Sequence, residues 1–594
     1  MLLYDPGQTV HKMPAGAVTP SDVIHFNVLL PQDYEEFYPI YFMVQKDEEL
    51  WCEHRCIEVE RMPEGPKRIG TMWTATAEGL YFYKFCTKKA DGTVVDETPT
   101  YQQTVYNKCF TTPSWLRGAV MYQIFPDRFR RSGKTPLPVQ CKNWVFREAW
   151  GDDPAAGPDE NGVVLNNDFF GGDLPGIEES LPYLAELGVS VIYLNPIFRA
   201  YSNHRYDTAD YETIDPLLGS EEDFKRLCSA ARGQGIRIIL DGVFNHTGSH
   251  SRYFNKDGAF DSLGAYQSKE SPYFDWYSFT SWPAEYACWW GIDTLPNLRE
   301  ENPEVLDYMI RHEDSVVARW LRAGASGFRL DVADELPDGF LDALRVRVKE
   351  LDPEACIIGE VWEDASNKVA YGARRRYLAG GQLDTVMNYP LKDGILNFLC
   401  GIETGLQLSG RMKALREHYP EPAFMTLMNI LGTHDTPRLR TALSGNGTDA
   451  ECRERLYCAL MIWAFMPGAA CIYYGDEIGM EGGKDPMNRK CFQPELADAE
   501  ITAYYKNLLT FRREIRSLGE MELIGVRGGD DWVEFTRDGA AESVKVLVHK
   551  GSAVLDEPCP IQPERILSSG PVAVGGQRIR MEGLSCAALY FRKV

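Results

Sequence analysis

Residues 220–246 read SEEDFKRLCSAARGQGIRIILDGVFNH, a helical pattern running into a strand. Ser220 stands where a helix N-cap belongs, and Phe224, Leu227 and Cys228 recur at the spacing of one apolar stripe. Past the glycines the run IRIILDGV (236–243) is β-branched and continuous, and it ends among Asp241, Asn245 and His246. An amphipathic helix followed by a buried strand that stops at an acid is the repeating unit of an α/β sheet.

Outward from this unit the same texture recurs. Eight strand candidates follow in order: AVMYQIFP (119–126), VSVIYLNP (189–196), IRIILDGV (236–243), GFRLDVA (327–333), CIIGEVW (356–362), TVMNYP (385–390), TLMNILGTHD (426–435) and CIYYGDEIG (471–479). Helical patterns lie between most of them, so the expected fold is α/β, a closed (β/α)8 TIM barrel over residues 116–518. The connection after the third strand is too long for a passive loop and rich in aromatics, Gly and Pro, so an inserted subdomain is expected at about 247–300, followed by a helical run over 301–324. Residues 1–115 carry VIHFNVLL, PIYFMVQ and GLYFYKFCT between turn-prone stretches such as PEGPKR and KADGT, which predicts an N-terminal β-sandwich with TTPSWLRG (111–118) leading out of it. Its aromatics Trp51, Trp73, Tyr81 and Tyr83 are expected in the sandwich core. KVLVHK and AALYFRKV predict a second, C-terminal β-sandwich over 519–594.

Composition narrows the class. Apolar residues make up 44% and charged residues 25% of 594, the values of globular protein. A net charge of -24 argues against nucleic-acid and anionic-membrane partners and suits a neutral substrate. No apolar stretch reaches the ~20 residues of a membrane span, and MLLYDPGQTVHKMPAG lacks the basic-then-apolar order of a secretory signal. The 15 scattered cysteines predict free thiols and a cytoplasmic setting. WCEHRC (Cys52, His54, Cys56) hints at a metal, but no second ligand pair follows it.

Polar residues gather at the C-terminal ends of the predicted strands, where barrels of this kind build their sites. DGVFNH supplies Asp241 and His246; GFRLDVADE supplies Arg329 and Asp331; GEVW supplies Glu360; and LGTHD supplies His434 and Asp435. No nucleophilic Ser elbow, HExxH, P-loop or dinucleotide fingerprint is present. Two carboxylates in divergent environments are what glycoside hydrolysis requires. Period-two alternation puts Arg329, Asp331 and Ala333 on one face and Phe328, Leu330 and Val332 on the other, packed outward. Arg329 is then expected to keep Asp331 ionised, while an apolar collar around Glu360 raises its pKa; Trp362 is either part of that collar or a packing residue.

These segments, together with GVSVIYLNPIF, NHRYDTADY and PGAACIYYGDEIGMEGGKDP, resemble glycoside hydrolase family 13, the α-amylase family, over most of the chain. DTLPNL and the long N-terminal β module resemble its neopullulanase, cyclomaltodextrinase and maltogenic amylase subgroup. The resemblance implies Asp331 as nucleophile, Glu360 as acid/base and Asp435 as third acid at the reacting sugar. It implies His246 and His434 as hydrogen-bonding partners of that sugar, Tyr206 stacked under it, and Asp241 and Arg329 organising the nucleophile. Trp289 and Trp290 of YACWWGI, Glu335 at the strand's tail and Arg438 are further substrate-contact candidates. A retaining mechanism implies carboxyl groups of Asp331 and Glu360 roughly 5 Å apart. The implied substrates are cyclodextrins, pullulan and short maltooligosaccharides, with transglycosylation on the same site and a non-catalytic binding subunit as alternatives. A homodimer through the N-terminal module is implied as well. Where relatives hold calcium after DRF, this chain reads DRFRRSGKTPLP (127–138), so no cofactor and no calcium requirement are expected; Arg130 or Arg131 is expected to neutralise Asp173 of the downstream GGD.

Overall fold

The computed structural model describes residues 2–30, 38–47, 49–61, 67–136, 143–157, 164–445 and 447–593. Most of the predicted turn PEGPKR, and Leu137 and Pro138 of the loop after DRF, lie outside the described residues.

Eight parallel strands form the central sheet: β1 (Val120–Ile124), β2 (Val191–Leu194), β3 (Arg237–Gly242), β4 (Gly327–Leu330), β5 (Cys356–Gly359), β6 (Thr385–Val386), β7 (Met428–Asn429) and β8 (Ala469–Tyr473). They are hydrogen-bonded in the order 6-5-4-3-2-1-8-7, and a parallel bridge from Met387 to Met428 joins the two ends into a barrel. Its interior is filled by Met121, Val191, Tyr193, Ile239, Ile358 and Met428, a packed core rather than a channel. The predicted unit at 220–246 is present: Ser220 and Asp223 form a capping box on the helix Glu221–Gly233, whose Phe224, Leu227 and Cys228 are buried.

Several strands are shorter than the sequence suggests. β6 stops after two residues because the Asn388 side chain accepts the Leu391 N–H and starts a helix at Tyr389–Pro390. β4 ends at Leu330, so alternation fails beyond it, and Val332, with φ +39°, turns into the mouth of the barrel instead of packing outward. The helical run predicted over 301–324 is broken. Asn302 caps Pro303–Leu306, a wider turn follows over Asp307–Arg311, His312 is extended, and Ser315 caps a new helix, Val316–Ala323. The long segment after β3 is ordered by aromatic contacts, among them Phe254 against Tyr277 and Tyr286, and carries the small hairpin Phe279–Ser281/Glu285–Tyr286.

The chain forms two compact units that do not follow sequence order. One comprises Met1–Thr112 with the excursions Glu363–Asp384 and Gly410–Phe424; the other comprises Pro113–Trp362, Thr385–Ser409 and Met425–Val594. In the first unit two antiparallel sheets enclose Ile24, Phe26, Phe42, Tyr83 and Phe85. Tyr81 and Tyr83 are buried there and Trp73 is partly buried, whereas Trp51 stands half-exposed under the Lys84 ammonium instead of in the core. Lys12 and Glu417, both buried, form an ion pair of 2.6 Å that ties the second excursion to the N-terminal strands. Cys52 lies exposed on an edge strand while Cys56 is buried, its thiol pushed up to about 12 by burial, so the two do not converge on a ligand site. In the second unit a five-stranded and a three-stranded antiparallel sheet follow the barrel, packed over Leu547, Ile579, Met581, Ala587 and Leu589. Among the described residues all cysteines are free, and no helix is long and apolar enough to cross a membrane.

Candidate active site

Register builds the site. Asp241 on β3 pairs with Arg329 on β4, so their side chains lie side by side on the inner face, and Asp331, just past the end of β4, meets the same guanidinium. Arg329 is wholly buried. Its Nη1 lies 3.0 Å from Asp241 Oδ1 and 3.0 Å from Asp331 Oδ1, while Nη2 lies 2.9 Å from Glu360 Oε2 in an ion pair without hydrogen-bond alignment. One guanidinium therefore bridges both candidate catalytic carboxylates. The expectation that Arg329 belongs to Asp331 needs that correction.

Each carboxylate has its own surroundings. Glu360 Oε2 accepts the backbone N–H of Val332 at 2.8 Å, which the positive φ of Val332 aims at it, and Oε1 accepts the indole N–H of Trp362 at 3.2 Å. Trp362 also stacks on Tyr389 at 4.1 Å and 14°, so its packing and polar roles coexist. Asp241 accepts the hydroxyls of Tyr193 (2.6 Å) and Tyr206 (2.9 Å). Across the cleft Asp435 is paired with Arg489 at 3.4 Å. Burial pushes Asp331 well above the ordinary carboxylate range, with Glu360, Asp241 and Asp435 adding to the rise against Arg329. Burial also raises Glu360, helped by Asp435, and raises Asp435 against the two arginines. More carboxylates than cations share this dry pocket, so protons belong to the cluster as a whole.

The histidines are neutral. Burial lowers His246 to about 4 and holds His434 well below its usual value. Gln123 Nε2 donates to His434 Nδ1 at 2.8 Å, which leaves the proton on Nε2, 2.6 Å from the Tyr206 hydroxyl and 3.1 Å from Asp435. Tyr206 stacks on His434 at 9°. A relay of fixed donors thus runs from β1 to the third acid.

A cleft of about 840 Å³ opens over these groups, lined by Asp331, Glu360, Asp435, His246, His434, Tyr206 and Trp362. Asp241 and Arg329 stand behind its floor. Three sequence candidates fall elsewhere. Arg438 is wholly buried away from the cleft, bonded to the Tyr474 carbonyl and Asp476 and sandwiched by Tyr473 and Tyr474, so it is a structural residue. Trp290 is 81% exposed with its indole N–H 3.2 Å from Glu335, and neither lines the cavity; Trp289 does, its ring 5.7 Å from His246. His204, Asp485 and Arg489 also line the cleft; nothing in a single sequence marks them beyond their place in NHRYD and just past β8.

The loop after β1 carries the residues on which the calcium expectation rests. Asp173 accepts N–H groups of Gly176 and Ser132 and the hydroxyls of Ser132 (2.5 Å) and Thr135 (2.7 Å). Arg130 pairs instead with Glu179, and Arg131 with backbone carbonyls, so neither neutralises Asp173. Arg128, buried, bonds Asp127 at 2.8 Å and the Asp168 carbonyl at 3.0 Å. Donors already saturate the carboxylates a calcium ion would need, and this donor set does not fit the ion.

With this geometry in place, the comparisons are decisive. The α-amylase catalytic domain matches residues 123–516. The chain belongs to the α-amylase family. It is 38% identical over 482 residues, 71% of its length, to an amylopullulanase of Thermoanaerobacterium saccharolyticum, of which it spans 36%, about a third. It is 34% identical to a cyclomaltodextrinase of Geobacillus thermopakistaniensis, with 76% of this chain and 72% of the relative covered. A solved cyclomaltodextrinase structure superposes over 99% of both chains with a TM-score of 0.70 at 25% identity.

Proposed function

We propose that this α-amylase-family chain is a retaining hydrolase of α-1,4-glucosidic bonds in cyclodextrins, pullulan and short maltooligosaccharides. The observation that carries the reading is the single buried guanidinium of Arg329 bridging Asp331 and Glu360 in a cleft with Asp435 opposite. Asp331 attacks the anomeric carbon while Glu360 delivers its proton to the glycosidic oxygen, and the glycosidic bond breaks to leave a covalent β-glucosyl ester. Glu360, now a carboxylate, takes a proton from water as that water attacks the ester, which returns both groups to their starting forms. Proton transfer leaves Glu360 ionised beside Arg329 while ester formation consumes the charge of Asp331, so the cluster keeps its negative charge as a positive charge develops on the sugar. Neutral His246 and His434, with Asp435, hold hydroxyls of the reacting sugar, and Tyr206 stacks beneath it.

No cofactor takes part, and the loop closed by Ser132, Thr135 and Arg128 needs no calcium. The names of the relatives, cyclomaltodextrinase among them, support the substrate class. The free thiols support a reducing, cytoplasmic setting, and the N-terminal unit is the surface through which a homodimer forms. An acceptor sugar can replace water on the same intermediate, so transglycosylation is the second reading; Trp289, an apolar wall of the cleft, favours it. A product time course on β-cyclodextrin, pullulan, maltotriose and starch, with the anomer followed by NMR, tests both. Initial release of β-anomer, or activity surviving Asp331→Ala, overturns the mechanism.

A further inference from the structure

One wall of the cleft carries an aromatic pair that the chemistry above does not use. Tyr201 follows the short strand Phe198–Ala200 after β2, and His250 lies in the loop after β3. Their rings stack at 4.6 Å and 20°, and both line the cavity. The pair is held from several sides. The Tyr201 N–H is donated to Asp207, its carbonyl accepts the Trp144 indole N–H at 3.0 Å, and His250 Nδ1 is paired with the Asp257 carboxylate. The Tyr201 hydroxyl has no hydrogen-bond partner among the described residues.

From this geometry we infer that Tyr201 and His250 form a subsite for a glucosyl unit of the substrate other than the one held at the carboxylates. A rigid aromatic surface loses little entropy when it covers the C–H face of a sugar ring, and a cleft of about 840 Å³ has room for more than the reacting unit. With Nδ1 paired to Asp257, the Nε2 edge of His250 is the one left to hydrogen-bond a sugar hydroxyl. His204 and Tyr206 line the same cleft, and Tyr206 reaches Asp241 and His434, so the pair shares one cavity with the reacting centre. The inference rests on the α-1,4-glucan reading of the site.

The test is a chain-length series, maltotriose to maltohexaose, hydrolysed by the full-length protein and by Tyr201→Ala, Tyr201→Phe and His250→Ala. Tyr201→Ala is expected to lower kcat/KM on maltohexaose about fivefold to tenfold, through KM, and to stay within about twofold on maltotriose. Tyr201→Phe keeps the ring and is expected to behave as wild type on every length. Should Tyr201→Ala fail to fold, His250→Ala, which keeps the tyrosine and its backbone ties, carries the same test. An equal loss on all lengths, the mark of a merely structural strut, overturns the subsite, as does no loss on any. Wild-type protein that turns over no α-1,4-glucan overturns the reading of the whole cleft, and the subsite with it.

Discussion

Arg128 and Arg329 are both buried guanidiniums that face more than one acidic residue, yet their surroundings differ in kind. Around Arg128 the acceptors are satisfied. Asp127 takes backbone N–H groups from Phe170 and Gly171, and Asp168 takes the backbone N–H of Ala155 and the side-chain amide of Asn203. Around Arg329 one cation serves Asp241, Asp331 and Glu360, with a fourth acid, Asp435, close enough to raise its neighbours. Saturated donors make a rigid strut. A deficit of cations raises carboxyl groups above their ordinary range, so that they can release or accept protons. The same residue types thus build a brace in one loop and a reactive cluster in the next.

The largest test of that contrast removes a member of the reactive cluster. Asp331→Asn is expected to lower the hydrolysis rate on maltotriose on the order of 10⁴-fold, while its melting temperature at neutral pH holds or rises, because a carboxylate raised by burial costs stability once ionised. A fall in both, read by initial rates and differential scanning fluorimetry, would place Asp331 with the braces. Next, Arg128→Met should cost about 3–5 kcal/mol in urea denaturation, the price of a broken buried pair, yet retain activity per folded molecule; Arg329→Met should lose both.

The cluster and its histidines also respond to pH with opposite signs. His246 has a folded pKa of about 4 against 6.5 ordinarily, so the unfolded chain binds the proton first. Its contribution, about 3 kcal/mol, is present above pH 6.5 and is lost as pH falls towards 4. Asp331, Glu360 and Asp435 are raised, so what they contribute is present at low pH and lost as pH rises through their folded values. His246→Asn should flatten the acid limb of stability measured by urea titration from pH 7 to pH 4.5; an unchanged slope would mean that His246 is not buried neutral. The smallest effect belongs to the brace. EDTA and excess calcium should leave the melting temperature unchanged, since an ion that does not bind cannot stabilise, and Asp173→Ala, which removes a helix cap, should cost about 1–2 kcal/mol. A calcium-dependent rise in melting temperature would show that the Asp173 hydroxyl clamp opens to metal.

Much of this was legible in sequence, unevenly. Asp241, Arg329, Asp331 and Glu360 could be read because they sit on or beside strands whose period-two pattern assigns each side chain a face. The reading failed one residue later, at Val332, where the chain leaves the strand with a positive φ that no hydrophobic pattern encodes. Arg438 lies away from the cleft because Tyr473, Tyr474 and Asp476, all distant from it in sequence, hold its guanidinium. Tyr201 and His250, 49 positions apart, carry no local signal at all.

The residue types and spacings by themselves determined that this chain makes a (β/α)8 barrel with acids at the ends of its strands, because burial and alternation act locally and leave their period in the sequence. Only the tertiary structure decided who shares Arg329, which donors hold the Asp173 carboxylate, and which segments join the N-terminal strands into one compact unit with Glu363–Asp384 and Gly410–Phe424. Those are contacts between residues far apart in the chain, and their energies depend on distance and dielectric, which a linear order of residues does not contain.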